Sequence, residues 1–233
     1  MTLWEREASR QSGDGAVTGR VRGEVGVHLP AAARRTARGY CGMDGHVGRR
    51  DGSGGSGRVV VAPAREEDLG DVWGLYGRIA REMEGTDHDV WWRLDFHPTR
   101  ERLEEAASAG ELLTARGVGG TLVGALVLDG RQGADYGRVP WTVPCGPDEV
   151  SVVHLLGVDP AARGMGVARA LVEAAAAEAR RRGSRAVRLD AFDNNVAAVG
   201  LYRSCGFVDL GVLDIRVGGG LMHASHLMEL PLA

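Results

Sequence analysis

The sequence predicts an α/β fold (α+β mixed sheet) in which one central β-sheet carries helices on both faces. Strand-like and helix-like segments alternate from Val59 to the C-terminus, as they do in α/β proteins. The segment 150–158 is apolar at nearly every position, which is typical of a central strand buried on both sides. With 233 residues, of which 44% are hydrophobic, the chain is long and apolar enough to build a packed core.

Residues 1–57 differ in composition from the rest of the chain. They contain 13 of the 36 glycines and show no lasting strand or helix periodicity. Such a segment buries too little apolar surface to offset its ordering entropy, so we expect it to be disordered and assign the folded domain to residues 58–233. Gly52-x-Gly54-x-x-Gly57 has the spacing of a dinucleotide fingerprint, but no strand precedes it, and we interpret it as a flexible linker.

The elements of the folded part follow from periodicity and from turn residues. Apolar residues recur at helical spacing from Leu69 to Met83, and Pro98-Thr99 opens a second helix that Gly110 ends. The patterns predict strands at about 59–62, 112–115, 121–128, 150–158 and 186–191, helices at about 69–83, 98–110, 164–182 and 196–204, and a last hairpin at about 210–217 and 221–230 that turns at 218–220.

Composition excludes several classes of protein. All 28 basic residues are arginine, so neither a phosphate loop with its lysine nor a lysine Schiff base is available. The net charge of −3 does not indicate a binding surface for nucleic acid or an anionic membrane. The longest apolar run, at 122–128, is too short to span a bilayer. The first ten residues are charged, so we expect no secretory signal and a cytoplasmic protein. The three cysteines are unclustered and predict neither disulfides nor a zinc site.

The turn after the strand at 150–158 carries the clearest binding signal. It reads Asp159-Pro160-Ala161-Ala162-Arg163-Gly164-Met165-Gly166-Val167-Ala168. Its glycines let backbone N–H groups approach a ligand, and the helix that begins there adds unpaired donors and the positive end of its dipole. Such a turn suits a phosphate group, although a turn that needs glycine only for its geometry has the same sequence.

A second motif follows the strand at 186–191. It reads Asn195-x-x-Ala198-x-x-Leu201-Tyr202-x-x-x-Gly206-Phe207. Together with Arg163-x-x-Gly166-x-Ala168, it resembles the GNAT N-acetyltransferase superfamily from Val59 to the C-terminus. The resemblance implies a mixed sheet that is splayed between its fourth and fifth strands, acetyl-CoA as the donor and a primary amine as the acceptor.

The resemblance also implies where acetyl-CoA binds. Main-chain N–H groups of the turn would hold the pyrophosphate, which assigns to this site the residues Arg163, Gly164, Met165, Gly166, Val167 and Ala168. Pantetheine would pair with the free edge of the preceding strand, at the backbone of Leu156 and Val158. Gly157 is the predicted position of the family's bulge, because glycine inside a strand often marks one. Asn195 is expected to cap its helix and to contact the cofactor.

Acetyl transfer needs an acid for the leaving thiolate and a base for the amine proton. Tyr202 matches the family's acid position, and tyrosine stays protonated at neutral pH; the structural alternative is an aromatic on an amphipathic helix. The base stays open between three residues. Asp190 lies where the ribosomal-protein N-terminal acetyltransferases carry a Glu, and would act through water or merely shape the turn. His154 would face the cleft or bond within the sheet, and Glu149 precedes its strand.

The sequence indicates little about the residues that bind the acceptor amine. Trp91 and Trp92 would either stack on a ligand or cover the core, and the acidic residues near them suit either a cationic amine or a solvated loop. His223 and His226 would point to opposite faces of a strand, so no metal site is expected. Cys205, with no histidine near it in sequence, is interpreted as a small buried thiol rather than a nucleophile.

The leading hypothesis is an N-acetyltransferase that moves the acetyl group of acetyl-CoA to a small primary amine by direct attack in a ternary complex. No nucleic-acid or membrane partner is expected, and the terminal strands offer a surface for a homodimer. The alternative is a non-catalytic acyl-CoA-binding sensor that regulates a partner. A nucleotide-binding α/β protein ranks third, because no lysine and no G-x-G-x-x-G after a strand are present.

Overall fold

The computed structural model describes residues 59–216 and 222–232. The strands are β1 (Val60–Pro63), β2 (Leu112–Arg116), β3 (Leu122–Asp129), β4 (Val150–Val158), β5 (Ala186–Phe192), β6 (Val208–Arg216) and β7 (Met222–Pro231). The helices are α1 (Leu69–Met83), α2 (Arg100–Ser108), α3 (Val167–Arg181) and α4 (Val196–Ser204). The expected disorder of residues 1–57 and the predicted turn at 218–220 lie outside the described residues.

Within the described ranges, the seven strands form one sheet in the order β1-β2-β3-β4-β5-β7-β6. β4 and β5 are parallel, and the other neighbouring pairs are antiparallel. Strand β3 shows how the two faces are covered, because its residues alternate between them. Leu126 and Leu128 pack with α3 and α4, whereas Ala125 and Val127 pack with α1 and α2. The predicted mixed sheet with helices on both faces is confirmed.

Most predicted boundaries lie within two residues of the observed ones, and the largest difference concerns α3. This helix was predicted from residue 164 but begins at Val167, since Gly166 precedes it in the left-handed region with φ 77°. The three residues before Val167 form a turn instead of a helix. At the start of α2, Thr99 caps the helix by accepting a hydrogen bond from the Arg102 amide.

The sheet is split between β4 and β5. Their parallel pairing covers Val150 to Val152 on one strand and Ala186 to Arg188 on the other, and then it ends. Beyond that point β5 continues to pair with β7 as far as Phe192, whereas β4 continues to pair with β3. The predicted separation of the fourth and fifth strands is therefore confirmed, and β4 is half-buried at 154–156 because one edge there faces the gap.

The bulge of β4 lies one step away from its predicted position. Gly157 pairs regularly with Ala125, and the register shifts between Gly157 and His154, at Leu155 and Leu156. Leu155 adopts φ 53°, in the left-handed region, and its carbonyl accepts a 2.6 Å hydrogen bond from the Tyr76 hydroxyl. The prediction of Gly157 as the bulge was wrong. Glycine is needed there because a Cβ would lie 2.8 Å from Ile79 Cδ1 and 3.2 Å from Tyr76 Cε1.

We predict that Gly157→Ala destabilises the protein by about 1–3 kcal/mol, because the added methyl overpacks the contact between β4 and α1. Tyr76 cannot move away without losing its bond to Leu155. The free energy of unfolding in urea is the measurement. Gly200→Ala on α4 is the control, since nothing lies within 4 Å of the position that an added Cβ would occupy, and this change should stabilise the helix slightly. Equal stability of Gly157→Ala and wild type would contradict the packing argument.

Arginines anchor the end of α3 that lies away from the turn at Gly166. The Arg182 guanidinium donates to the carbonyls of Leu128 at 2.8 Å and Gly110 at 2.9 Å, and also to the Glu178 carboxylate. Arg181 binds the same carboxylate with two hydrogen bonds. Hydrogen bonding from Arg181 and Arg182, opposed by partial burial, lowers the pKa of Glu178 to about 2. The last turn of α3 is thus tied to the sheet.

We predict that Glu178→Gln costs about 0.5–1 kcal/mol at neutral pH, allowing for solvent screening. A carboxyl whose pKa is lowered by folding stabilises the fold above its ordinary value of 4.5, and this contribution is lost as the pH falls toward about 2. Unfolding by urea at pH 7, 5, 4 and 3 should show the difference from wild type shrinking below pH 4.5. Glu173→Gln, an exposed change on the same helix, is the control and should leave the free energy of unfolding at pH 7 within about 0.5 kcal/mol of wild type.

Candidate active site

A cavity of about 1000 Å³ opens where β4 and β5 separate. Its walls come from α1, the loop at 86–97, β4, the turn after β4, the first turn of α3, the end of β5 and α4. The structure brings most of the predicted site residues to this cavity, namely His154, Leu156, Val158, Arg163, Gly164, Gly166, Val167, Ala168, Asp190, Asn195 and Tyr202. Met165 and Glu149 are not part of its wall.

The turn between β4 and α3 presents a cluster of backbone N–H groups without acceptors. Gly164 and Gly166 both adopt positive φ, at 76° and 77°, which lets the chain turn tightly into α3. Within the described residues, no acceptor is present for the amides of Gly164, Gly166, Val167, Ala168 and Arg169. The Met165 amide is used internally, since it donates to the Ala162 carbonyl at 3.3 Å, and its side chain is exposed. Such a cluster at a helix N-terminus is suited to an anion.

Two ion pairs join α1 to this turn. Arg163 binds both carboxylate oxygens of Glu82, with Nη1 2.5 Å from Oε1. Arg78 binds Asp159 through its Nε at 2.9 Å, and Asp159 in turn caps the short turn that follows by accepting from the Ala161 amide. Arg163 therefore lies at the rim of the cavity, with its charge balanced by Glu82.

The free edge of β4 faces the gap. The Asp159 amide donates to the Val123 carbonyl at 2.9 Å, so Asp159 and Gly157 direct their backbone groups toward β3. Backbone groups of successive strand residues point to opposite edges, so those of Val158 point into the gap. Leu156 lies in the bulge and lines the cavity. The backbone of Val158 thus has the orientation that a ligand chain needs if it is to pair with the strand.

Tyr202 reaches the cavity from α4. It is largely buried, and its hydroxyl has no hydrogen-bond partner within the described residues. Burial raises the pKa of Tyr202, and the nearby charge of Asp190 adds to this effect, so the phenol stays protonated at neutral pH. Asn195 caps α4, as predicted, by accepting from the Ala198 amide at 3.2 Å.

Asp190 lies near the end of β5 with one carboxylate oxygen engaged. The Tyr136 hydroxyl donates to its Oδ1 at 2.8 Å, and Tyr136 is itself buried in the loop between β3 and β4. Burial raises the pKa of Tyr136 strongly, and the neighbouring Asp190 charge raises it further. Tyr136 is therefore a permanent donor that fixes the direction of the Asp190 side chain.

His154 contacts an aspartate that the sequence reasoning missed. The imidazole Nε2 lies 3.1 Å from Asp129 Oδ1 and 3.1 Å from the Arg131 carbonyl oxygen. Asp129, the last residue of β3, is nearly inaccessible and also accepts from the Arg131 amide at 2.7 Å and from Arg102 Nη2. Burial raises the pKa of Asp129, but the His154 hydrogen bond and charge, the Arg131 amide and the Arg102 charge together lower it below its usual range.

His97 is a second missed residue of the cavity wall. It precedes Pro98 in the loop before α2 and lies close enough to His154 and Asp190 to feel their charges. Burial lowers the pKa of His97, repulsion from His154 lowers it further, and Asp190 partly opposes the change. His97 is therefore neutral at pH 7. A single histidine in a loop gives no sequence signal that would have placed it here.

Glu149, the third candidate base, lies at the start of β4 and away from the cavity. Its carboxylate accepts from the Gly146 amide at 2.8 Å, in the turn that precedes β4, and lies 3.6 Å from Arg185. These contacts lie at the opposite end of β4 from the bulge, and Glu149 does not line the cavity. Of the three predicted alternatives, Asp190 and His154 line the cavity and Glu149 does not.

A buried ion pair holds the loop between β3 and β4. Arg188 of β5 donates to Glu229 of β7 at 3.0 Å, and both side chains are almost fully buried. Glu229 also accepts from the amides of Thr142 at 2.7 Å and Val143 at 3.0 Å, and Arg188 donates to Gln132 at 2.8 Å. This network fixes the loop that carries the Arg131 carbonyl and the Tyr136 hydroxyl.

The two tryptophans of the acceptor side have different surroundings. Trp92 packs edge-on against Tyr76, with ring centroids 5.2 Å apart, and belongs to the core under the loop. Trp91 is 45% exposed on the cavity wall, with the Arg93 guanidinium 5.7 Å from its ring. Asn194 ties this loop to the end of β5 by donating to the Asp87 carbonyl at 3.1 Å. Trp92 therefore packs on the core and also forms part of the cavity wall, whereas Trp91 is exposed on that wall.

The histidines of β7 are engaged separately. His223 stacks on Phe192 with ring centroids 3.7 Å apart, and His226 Nδ1 lies 2.9 Å from Asp209. Within residues 59–216 and 222–232, no group of three or more histidine, cysteine or acidic side chains has an arrangement that could hold a metal ion. In the same ranges, no helix has the length and apolar character needed to cross a membrane.

Comparison with solved structures identifies this fold as that of acetyltransferases. An acetyltransferase of the GNAT family from Streptococcus agalactiae superposes with a TM-score of 0.62 at 16% identity, over 75% of this chain and 96% of that one. The YncA acetyltransferase of Salmonella typhimurium, solved with acetyl-CoA, superposes with a TM-score of 0.55 at 18% identity, over 76% and 95% of the two chains. At these identities the likeness concerns the fold.

The sequence comparisons define the family. The family model for the acetyltransferase (GNAT) family matches residues 78–207. The mycothiol acetyltransferase of Geodermatophilus obscurus is 34% identical over 128 residues, which cover 53% of this chain and 42% of that protein. This chain belongs to the GNAT acetyltransferase family. It spans about half the length, or less, of the curated relatives that it matches.

Proposed function

We propose that this chain transfers the acetyl group of acetyl-CoA to the primary amine of a small molecule, by direct attack in a ternary complex. One observation carries the proposal: the unpartnered amides after β4, the free edge of β4 and the unpartnered Tyr202 hydroxyl all open into the same cavity. Each of them is a hydrogen-bonding group without a partner among the described residues, and together they match what an acyl-CoA ligand requires.

The residues present fit acetyl-CoA. The amides of Gly164 and of Gly166 to Arg169 would hold the pyrophosphate, because they point at one region and the dipole of α3 favours negative charge there. The backbone of Leu156 and Val158 would pair with the pantetheine arm. When bound, acetyl-CoA supplies an activated thioester, and the protein has to orient the amine, stabilise charge on the acyl oxygen and manage two protons.

Tyr202 is the acid in this proposal. Its raised pKa keeps the phenol protonated, and its hydroxyl is free to donate to the sulfur that leaves. Asp190 attracts the cationic amine, since one of its oxygens is held by Tyr136 and the side chain faces the cavity. The proton acceptor is His154 or Asp190.

A small-molecule acceptor is supported by the names of the relatives. The loop that carries Trp91 and Trp92 forms part of the cavity wall. The curated relatives are named mycothiol acetyltransferases, which supports an acceptor of low molecular weight. Residues 58–233 are, in this proposal, the catalytic domain of a cytoplasmic protein.

The test is acetyl-CoA turnover measured as free thiol, over polyamines, amino acids, aminoglycosides, peptide N-termini and the acceptor of the mycothiol acetyltransferases. We expect thiol release that depends on at least one small amine, with the acetylated amine confirmed by mass spectrometry. Calorimetric titration with acetyl-CoA is run in parallel. Tight binding without thiol release from any amine would contradict the enzyme and favour a non-catalytic acyl-CoA sensor.

We predict that Gly166→Ala weakens acetyl-CoA binding at least tenfold. An alanine at φ 77° is strained by about 1–2 kcal/mol, and relief of that strain would turn the neighbouring amides away from the cavity. Calorimetry gives the dissociation constant. Gly183→Ala is the matched control, because Gly183 has φ 82° just after α3 and has no neighbour at its Cβ position. It should lose similar stability but keep its affinity; an equal loss of affinity in both variants would contradict the role of the turn.

We predict that Tyr202→Phe lowers kcat about 100-fold while the dissociation constant of acetyl-CoA changes less than threefold, because only the proton donor is removed. Steady-state kinetics and calorimetry on the same variant measure both quantities. Tyr136→Phe is the comparison: it also removes a buried hydroxyl, but one that orients Asp190, so it should mainly raise KM for the amine. Turnover of Tyr202→Phe equal to that of wild type would exclude Tyr202 from the mechanism.

A further inference from the structure

The hydrogen bonds of His154 determine where its ring carries a proton. Nε2 lies 3.1 Å from the Asp129 carboxylate and 3.1 Å from the Arg131 carbonyl, and both groups only accept hydrogen bonds when Asp129 is ionised. A nitrogen that faces two acceptors has to carry the proton. The neutral ring is therefore protonated at Nε2, and Nδ1 keeps its lone pair.

The surroundings of Asp129 keep it ionised and fixed in position. Its carboxylate is 1% exposed, pairs with Arg102 and accepts the Arg131 amide. Arg102 is held near this site by the Thr99 cap at the start of α2 and lies 4.0 Å from Glu111. An aspartate held in this way can orient a histidine without changing its own protonation state.

The free Nδ1 of His154 has no partner within the described residues, and His154 lines the same cavity as Tyr202 and Asp190. The other charged or titratable groups around it are Asp129, Arg102, Arg131, His97 and Asp190. His97 approaches from the loop before α2 and Asp190 from β5. The unpaired nitrogen thus belongs to a side chain that lines the cavity shared with Tyr202 and Asp190.

We propose that His154 is the proton acceptor of the reaction and that Asp129, supported by Arg102, is the residue that positions it. The inference rests on the proposed acetyl transfer. The bound amine first releases one proton to solvent and becomes a neutral nucleophile. As the carbon–nitrogen bond forms and the carbon–sulfur bond breaks, the second proton that the nitrogen loses goes to His154 Nδ1. Tyr202 gives its proton to the sulfur, and exchange with solvent returns the histidine and the tyrosine to their starting states.

The geometry favours His154 over Asp190 as the acceptor. The Nδ1 of His154 carries a lone pair and has no partner within the described residues, because Nε2 makes both hydrogen bonds of the ring. Asp190 already uses one oxygen to hold Tyr136, and its charge helps to keep Tyr202 protonated. Asp190 therefore contributes attraction for the cationic amine, which is an effect on KM.

The first experiment needs no substrate. NMR chemical shifts of the histidine rings, assigned with His154→Gln, report which nitrogen carries the proton. We expect the wild-type His154 ring to be protonated at Nε2 when neutral. Asp129→Asn should raise the population of the other form, because an asparagine amide can donate to Nε2. Observation of protonation at Nδ1 in the wild type would overturn the proposal, whether or not any amine is acetylated.

The second experiment uses kinetics with the best acceptor amine. His154→Gln and Asp129→Asn should each lower kcat at least 100-fold, and the double variant should be no slower than His154→Gln alone, because Asp129 acts through His154. Asp190→Asn should mainly raise KM for the amine. The assignment would be overturned if the losses of kcat in the two single variants added up in the double variant. It would also be overturned if Asp190→Asn lost all turnover while His154→Gln kept its turnover.

Controls separate this inference from the stability of the fold and from the proposed function. Asp135→Asn is matched to Asp129→Asn, since Asp135 also accepts a backbone amide and pairs with an arginine but contacts no histidine. It should keep wild-type kcat. Acetyl-CoA binding by each variant shows that the cavity is intact. Absence of turnover in the wild type would contradict acetyl transfer, whereas the ring protonation would still test the pairing of His154 with Asp129.

Discussion

The separation of β4 from β5 after Val152 and Arg188 is the constraint on which the site depends. An unpaired strand edge inside a protein leaves peptide groups without partners, which is costly unless water or a ligand satisfies them. Here the two strands are held apart from opposite sides: β5 stays paired with β7, and β4 is drawn toward α1 by the bulge at Leu155, whose carbonyl accepts from Tyr76. The peptide groups that would have closed the sheet line the cavity instead.

The buried pair of Arg188 and Glu229 keeps the opposite half of the site in place. A buried ion pair is stabilising only when its remaining hydrogen-bonding capacity is filled, and here the loop between β3 and β4 fills it with Gln132 and the amides of Thr142 and Val143. Trp141 adds its ring 4.3 Å from the guanidinium. The loop is therefore ordered by the sheet beneath it, and its Arg131 carbonyl and Tyr136 hydroxyl become fixed points for His154 and Asp190.

Local patterns in the sequence were sufficient for the order of the elements, the glycine turn after β4 and the cap of α4. Helix α4 was predicted with both boundaries correct, and the glycine turn and Asn195 cap were predicted because their signals are contiguous. The acceptor side depends on long-range contacts that a pattern does not contain. Asp129 looks like the polar end of a strand until the fold brings it to His154, 25 residues away. Gly157 was predicted to form a bulge. Glycine is required there because the chain packs closely against Ile79 of another element, and the local sequence does not show this contact.

Burial and neighbouring charges fix the protonation states of three groups in the cavity wall. Burial raises the pKa of Tyr202 and lowers that of His97, so the first stays protonated and the second stays neutral at pH 7. Asp129 remains ionised because the hydrogen bonds and charges around it outweigh its burial. His154 differs from these neighbours: it is 30% exposed, and one of its nitrogens has no partner within the described residues. When the neighbouring groups keep their protonation states, one group of the site can exchange a proton without changing theirs.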